Sequence, residues 1–175
     1  TDVVAAAKAS PNGLSYGSNG NGGATHLIAE RFRERASIPK LLHVPYKGSS
    51  ESNVDLIAGR IDFMIDGSAI NFVKAGRLRA LAVALPKRWP TMPDVPTMAE
   101  AGYPDVTMMT FFGLAAPPGT APAILDRINA VINDVARDPA IEAKLLDLNV
   151  MPMPATRRET TEFIREQSNK WAPLL

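Results

Sequence analysis

The sequence has no cysteine and only two histidines. The absence of cysteine excludes disulfides, thiolate catalysis and zinc sites built on cysteine. The histidines, His26 and His43, are seventeen positions apart, which is not the spacing of a metal-binding motif. We therefore expect no metal ion and no cofactor, and we expect His26 to pack or hydrogen-bond locally.

Long apolar runs and an excess of charge of one sign are also missing. No apolar run approaches the roughly 18 residues that span a bilayer, and Thr1-Asp2 does not resemble the start of a signal peptide. Nineteen basic side chains against eighteen acidic ones leave a net charge of +1 without a basic stripe, so nucleic acid is not an expected partner. With 46% hydrophobic and 21% charged residues over 175 positions, the chain has the composition of a globular protein with a core.

Glycine is concentrated in one segment, residues 16–26, which reads YGSNGNGGATH and which we call the glycine segment. It lies between a predicted strand and a predicted helix. Glycine lets the backbone approach a ligand closely, and the following helix directs its first amides to the same place. We therefore predict an anion site suited to carboxylate or phosphate. A plain turn is the alternative, because Asn-Gly occurs twice; the order of residues fits neither a P-loop nor G-x-G-x-x-G.

Short apolar runs alternate with helical patterns through the first half of the chain. Helices are predicted at 2–9, 24–35, 50–58 and from about 67 to 75, and strands at 14–16, 41–44, 61–65 and 78–85. Such alternation predicts an α/β fold with a mostly parallel sheet flanked by helices. Ligands of these sheets bind beyond the carboxyl ends of the strands, where the glycine segment, Tyr46 and Asp66 would lie.

The second half changes character after a proline-rich connector. Residues 106–116 form a long β-type run, residues 97–100 and 156–159 have the capping-box pattern, and Val150-Met151 could be an edge strand. Helical patterns follow at 121–137, at 140–148 and from Thr156 towards Trp171. The last third is therefore predicted to be mostly helical.

A second motif indicates a different function. Gly13-Leu14-Ser15-Tyr16-Gly17 matches the G-x-S-x-G pattern of a nucleophile elbow. The pattern needs a strand before the serine and a helix directly after it, whereas here the strand runs through Ser15. A small α/β hydrolase using Ser15, with His26 or His43 as base, is the alternative to a non-enzymatic binding protein.

Six ordered motifs resemble the periplasmic substrate-binding receptors of tripartite tricarboxylate transporters, the Bug family. They are YGS through HL at 16–27, VPYKG at 44–48, IDFMID at 61–66, LRALAV at 78–83, DVPT at 94–97 and FGLAAP at 112–117. The resemblance implies a two-lobed fold of the periplasmic-binding-protein type II class. It also implies capture of a small carboxylate, such as a di- or tricarboxylate, an amino acid or an aromatic acid, for delivery to membrane permease subunits. Periplasmic localisation is implied by the resemblance alone.

The resemblance also assigns residues to the site and regions to lobes. It implies a carboxylate clamp built largely of backbone amides at Ser18, Asn19, Gly20, Gly22, Gly23, Ala24 and Thr25. Asp66 falls where related receptors can contact an amino group or hydroxyl of the ligand. Tyr46 has two equally supported interpretations, a ligand contact or an exposed loop residue. Asp66 has the alternative role of a helix N-cap. Residues 1–108 would form the second lobe, and residues 109–175 the crossover strand and the helical return to the first lobe.

Two departures from the family pattern bear on function. Gly23 stands where many relatives carry Ser or Thr, and no Tyr-Pro-Gly-Gly loop of the first lobe is found. We therefore expect a truncated form. The C-terminal helices, with apolar residues such as Ile124, Ile128 and Val135, would lack the sheet that they normally cover, which favours self-association.

Overall fold

The computed structural model describes residues 3–148 and 150–174 and divides the chain into two compact units, Thr1–Thr110 and Phe111–Leu175. Asp2, where the first helix was predicted to begin, lies outside the described residues. The assignment of two regions to two lobes, divided after residue 108, stays a prediction.

The first unit contains a three-stranded parallel sheet and its helices. The elements in chain order are α1 Val3–Ala9, β1 Leu14–Ser18, α2 Ala24–Arg35, β2 Leu41–Pro45, α3 Ser49–Ile57, β3 Phe63–Met64, a 3₁₀ turn at Gly67–Ala69 and α4 Ile70–Lys74. The strand order is β2-β1-β3, with Leu14 opposite Leu41 and Tyr16 opposite Phe63. The predicted α/β class with a parallel sheet is confirmed.

The core of this unit lies around β1 and α2. Tyr16 is fully buried, and the α2 residues Leu27, Ile28 and Phe32, which recur at helical spacing, are buried as well. The Phe32 ring meets Phe63 edge-on, with ring centroids 6.4 Å apart. Each apolar side chain of this size stabilises the fold by about 1.5–3 kcal/mol when it is buried, which fixes α2 against the sheet.

β3 is shorter than the predicted strand 61–65. The carboxylate of Asp62 accepts the backbone N–H of Ser15 at 2.7 Å, and Ser15 Oγ donates to the same oxygen at 2.7 Å. The Asp62 side chain thus occupies the N–H of Ser15, a donor that a regular strand pairing would direct to a backbone carbonyl. The regular pairing begins only at Phe63.

Three further strand predictions are wrong. Residues 78–85 form only a single parallel bridge, between Val83 and Thr97, because the neighbouring Pro96 has no N–H to extend a ladder. Residues 106–116 form no strand either; Met108 N donates to Ala84 O at 3.0 Å, but no longer ladder follows. The proposed edge strand at Val150-Met151 is absent too, since Val150 N closes α6 by donating to Leu145 O.

The two capping boxes have different outcomes. Thr97 and Glu100 exchange both hydrogen bonds, Thr97 N to Glu100 Oε2 at 2.7 Å and Glu100 N to Thr97 Oγ1 at 3.1 Å. They close turns rather than a helix, because Gly102 follows with φ +94°. The capping-box pattern at 97–100 therefore begins no helix, whereas Thr156 and Glu159 begin a long helix with both bonds present.

The second unit is helical, as predicted. It contains α5 Pro122–Ala136, α6 Pro139–Asp147, α7 Arg157–Trp171 and a 3₁₀ turn at Ala172–Leu174. Asn133 on α5 is buried and joins the segment before α7: its Oδ1 accepts Ala155 N at 2.8 Å and its Nδ2 donates to Ala155 O at 3.0 Å. No described helix is long and apolar enough to cross a bilayer.

Candidate carboxylate site at the ends of the strands

The candidate site lies where the three strands of the first unit end. β1 leads into residues 19–23, which we call the glycine loop, β2 into Tyr46 and α3, and β3 into Asp66. In the sheet order β2-β1-β3 the strands are parallel, so all three end at the same edge of the sheet, with the ends of β1 and β3 side by side. The glycine loop and Asp66 therefore follow neighbouring strands.

One hydroxyl connects the three strand ends. Ser49 Oγ, at the start of α3, lies 2.8 Å from Asp66 Oδ2 and 3.2 Å from Asn19 Oδ1. The other oxygen of Asp66 accepts the N–H of Ser68 at 2.8 Å and caps the 3₁₀ turn. Asp66 therefore has the capping role that was its alternative, and the structure also brings it together with Asn19. Ser49 was missed as a site residue, although a serine that opens a helix directly after a strand was a usable signal.

The amides of the glycine loop are mostly occupied within the protein. Asn19 N donates to Thr25 Oγ1 at 2.9 Å, Gly20 N to Ser18 Oγ at 3.2 Å and Gly23 N to Gly20 O at 3.4 Å. Gly20 and Gly22 have φ of +112° and +72°, the region that glycine adopts without strain. Glycine thus shapes this loop, but most of its donors are directed to neighbouring residues.

Free donors are found instead at the starts of two helices. Within the described residues, the N–H groups of Ala24 and Thr25 in α2, and of Ser49 and Ser50 in α3, donate no hydrogen bond to a protein acceptor. First-turn amides carry the positive end of the helix dipole and suit an anion. The site can therefore offer uncharged donors to a carboxylate.

The hydroxyls of two other predicted residues are engaged elsewhere. Ser18 is fully buried, and its Oγ lies 2.6 Å from His43 Nε2. Tyr46 OH donates to Asp55 Oδ2 on α3 at 2.7 Å. Burial and the hydrogen bond to Asp55 raise the pKa of Tyr46 to about 12, so its phenol stays neutral. The Tyr46 hydroxyl is thus directed to α3, while its backbone N–H donates to Ser18 O at 2.9 Å beside the glycine loop.

Behind the loop lies an aromatic stack. The ring of His26 lies 4.0 Å from that of His43 with 9° between their planes, and His43 lies 4.9 Å from the Tyr16 ring. Tyr16 OH donates to Glu30 Oε1 at 2.8 Å. Burial and a positive charge on His26 lower the pKa of His43, although Glu30 opposes this. Burial alone would raise the pKa of Glu30, but hydrogen bonds from Arg33 and Tyr16 outweigh it and lower that pKa.

The geometry around Ser15 does not form a hydrolase site. Its hydroxyl hydrogen-bonds to the carboxylate of Asp62, and β1 continues through it to Ser18. His26 Nδ1 accepts the N–H of Gly22 at 3.0 Å, and His43 contacts Ser18. Neither imidazole serves as a base for Ser15.

Comparison with known proteins gives a consistent assignment. Residues 1–175 match the family described as "Tripartite tricarboxylate transporter family receptor". The chain is 36% identical over 178 residues to a UPF0065 protein from the tcbD–tcbE intergenic region of Pseudomonas sp. strain P51, covering all of this chain and 53% of that protein. It is 33% identical over 175 residues to protein BugT of Bordetella pertussis, covering 99% of this chain and 53% of BugT.

Solved structures show the same fold. Rpa4515 of R. palustris, determined with adipate, has a TM-score of 0.87 and 29% identity over 98% of this chain and 57% of its own. The periplasmic binding protein BugD has a TM-score of 0.82 and 28% identity over 98% of this chain and 58% of its own. The chain thus spans between 53% and 58% of the length of these four proteins. The family is one of solute-binding receptors and not of enzymes, and the chain belongs to it, the tripartite tricarboxylate transporter receptor family.

Proposed function

We propose that the chain binds a small carboxylate as part of a solute receptor for a tripartite tricarboxylate-type transporter. The observation that carries the proposal is the pair of helix starts, α2 and α3, whose first amides have no protein acceptor and flank the ends of β1 and β2. Family membership and the adipate in the related Rpa4515 structure support it. By the same relationship we propose that the receptor acts in the periplasm and delivers its ligand to membrane permease subunits.

The proposed ligand contacts differ in kind along the site. The N–H groups of Ala24 and Thr25 would donate to a ligand carboxylate, with the glycine loop lying beside it. The oxygen atoms of Asn19 and Asp66 both contact Ser49 Oγ and would accept from a ligand hydroxyl or ammonium. This division fits a di- or tricarboxylate, or an amino or hydroxy acid, better than a purely apolar ligand.

Replacement of Ala24 by proline tests the proposal at a single atom. Ala24 is the first residue of α2, where proline is favoured, and Gly23 before it has the extended conformation that proline requires, φ −71° and ψ 164°. Ala24→Pro therefore removes one N–H with little effect on the fold. The Ala24→Ser control keeps that N–H.

We expect adipate to raise the melting temperature of the wild type and of Ala24→Ser, because a ligand that binds the native state stabilises it. Ala24→Pro should bind adipate roughly tenfold or more weakly, the value of a hydrogen bond to a charged group. A panel of mono-, di- and tricarboxylates in the same thermal-shift assay identifies the preferred length. If no carboxylate raises the melting temperature of the wild type, the binding function is refuted; equal affinities for the three proteins would refute the role of Ala24.

We further propose that the chain self-associates through α5. Its apolar side chains Ile124, Ile128, Val131, Ile132 and Val135 are between 39% and 54% exposed. Phe112, Gly113 and Leu114 form an apolar pocket with Ile132 in the same unit. An apolar surface of this kind favours association in water.

A further inference from the structure

The side chain of His26 reaches back to the glycine loop. His26 is the third residue of α2, and its Nδ1 accepts the N–H of Gly22 at 3.0 Å. Gly23, the N-cap of α2, lies between them and has no side chain that could cap the helix. The contact requires a lone pair on Nδ1, so the ring hydrogen of the neutral imidazole is on Nε2. His26 thereby fixes the backbone of Gly22, which has φ +72°.

The aromatic stack sets the orientation of this ring. His26 lies against His43, which lies against the fully buried Tyr16. His43 Nε2 contacts Ser18 Oγ at 2.6 Å, and Ser18 Oγ accepts the N–H of Gly20 at 3.2 Å. The two imidazoles thus reach two glycines of the same loop, His26 directly and His43 through Ser18.

We propose that His26 is a positioning residue that holds the glycine loop through its Nδ1, and that protonation of this nitrogen releases Gly22. A proton on Nδ1 would face the N–H of Gly22, so two donors would oppose each other and the contact would be lost. Imidazole is the side chain that changes charge between about pH 5 and pH 8. The contact with Gly22 is therefore coupled to the charge of His26.

Titratable and charged groups face the His26 ring from three elements, β1, β2 and α2 itself. His43 on β2 faces His26 at 4.0 Å, and like charges at this distance repel. Tyr16 on β1 is neutral because burial and its bond to Glu30 raise its pKa. Glu30 on α2, which is paired with Arg33 at 2.7 Å, is the carboxylate that attracts a charge on His26. A positive charge on His26 thus lowers the pKa of His43.

The consequence for binding rests on the proposed function. The glycine loop leads directly into the amides of Ala24 and Thr25, so release of Gly22 frees the backbone next to those donors. We expect the affinity for adipate to fall on acidification more steeply than ionisation of the ligand explains.

Solution NMR of the whole ¹⁵N-labelled chain tests the role of His26 without any ligand. The amide signal of Gly22 and the ring signals of His26 are followed from about pH 8 to pH 5. His26→Asn places an acceptor oxygen near the position of Nδ1 and cannot titrate, whereas His26→Leu offers no acceptor. His43→Gln keeps a polar atom near the position of Nε2 and removes the other titrating ring.

In the wild type and in His43→Gln, the Gly22 signal should shift with the midpoint of the His26 ring. In His26→Asn that shift should vanish, with hydrogen exchange of Gly22 close to the wild-type rate. In His26→Leu the exchange should be about threefold to tenfold faster, the effect of one net hydrogen bond. If His26→Leu does not fold, the role of His26 is decided by the wild type, in which the Gly22 amide signal and the His26 ring signals should have the same pH midpoint.

Three results would overturn the proposal: a Gly22 shift that persists in His26→Asn, unchanged exchange in His26→Leu, or loss of the shift in His43→Gln. Adipate affinity at the two pH limits is compared between the wild type and His26→Asn, so that ionisation of the ligand cancels. Failure of every protein to bind adipate would refute the proposed function, while the NMR result would still decide the role of His26.

Discussion

Gly13 allows β1 to start beside the chain that leads into β2. It has φ +77°, and a Cβ at this position would collide with the carbonyl oxygen of Lys40 and lie 3.0 Å from its carbonyl carbon. Because both obstacles are backbone, neither can rotate away. Gly13→Ala should lower the free energy of unfolding by at least about 2 kcal/mol, from the left-handed conformation and the overlap together.

Gly59→Ala is the matched control, measured by the same urea denaturation. Gly59 has φ +70°, but a Cβ there would meet nothing within 4 Å. Only the cost of the left-handed conformation, about 1 kcal/mol, therefore remains. Equal losses for the two variants would show that the contact with Lys40 does not limit position 13.

The residue types of the candidate site were predictable from the sequence, but their hydrogen-bond partners were not. The pattern of glycines after an apolar run indicated a loop that brings backbone amides to a strand end. It did not indicate that Gly22 donates to His26 or Asn19 to Thr25. These partners depend on the turn geometry of the folded loop. The free donors accordingly lie at Ala24 and Thr25 and not across the whole segment.

At the scale of elements, α7 depends on its first turn. Thr156 Oγ1 accepts the N–H of Glu159 at 3.2 Å, and Glu159 Oε2 accepts the N–H of Thr156 at 2.8 Å. Thr156→Ala removes one half of this capping box and should destabilise the helix by about 1 kcal/mol. Hydrogen exchange of the α7 amides measures the loss within the helix.

Thr161→Ala is the control within the same helix. Its hydroxyl donates to the carbonyl of Arg157 one turn earlier, at 2.9 Å, a bond that adds little to a helix, and alanine has the higher helix propensity. Exchange in this variant should be unchanged or slower. An equal increase in both variants would refute the specific importance of the cap.

Helices and strands differed in how well local sequence predicted them. The helices α2, α5, α6 and α7 follow their predicted ranges within one or two residues, because their hydrogen bonds are internal and their caps are local. The strand predicted at 78–85 failed although its residues have β-type character, since a strand exists only where another backbone presents donors and acceptors. Pro96 in the neighbouring segment provides no donor.

At the scale of the whole molecule, the apolar surface of α5 should control association. Ile128→Lys places a charge in the middle of the exposed apolar residues and should lower the average molar mass in sedimentation velocity, because burying an unpaired charge is unfavourable. Leu42→Lys is the control: Leu42 lies on β2 in the other unit and is 61% exposed. A wild type that stays monomeric at high concentration would refute the association itself.

The sequence by itself determined the α/β class and the family, and it predicted a site at the strand ends. These features follow from periodicity, from caps and from an ordered series of motifs. Periodicity and caps are local properties of the sequence, and the order of the motifs is visible along it. The chain matches the receptor family over residues 1–175.

Only the tertiary structure decided which groups meet. It joined Asn19, Ser49 and Asp66 through one hydroxyl, directed Tyr46 to Asp55, and stacked two histidines, seventeen positions apart, behind the glycine loop. The physical reason is that parallel pairing of β1 with β2 and β3 fixes the register. Side chains that are distant in the sequence acquire partners only once that register is formed.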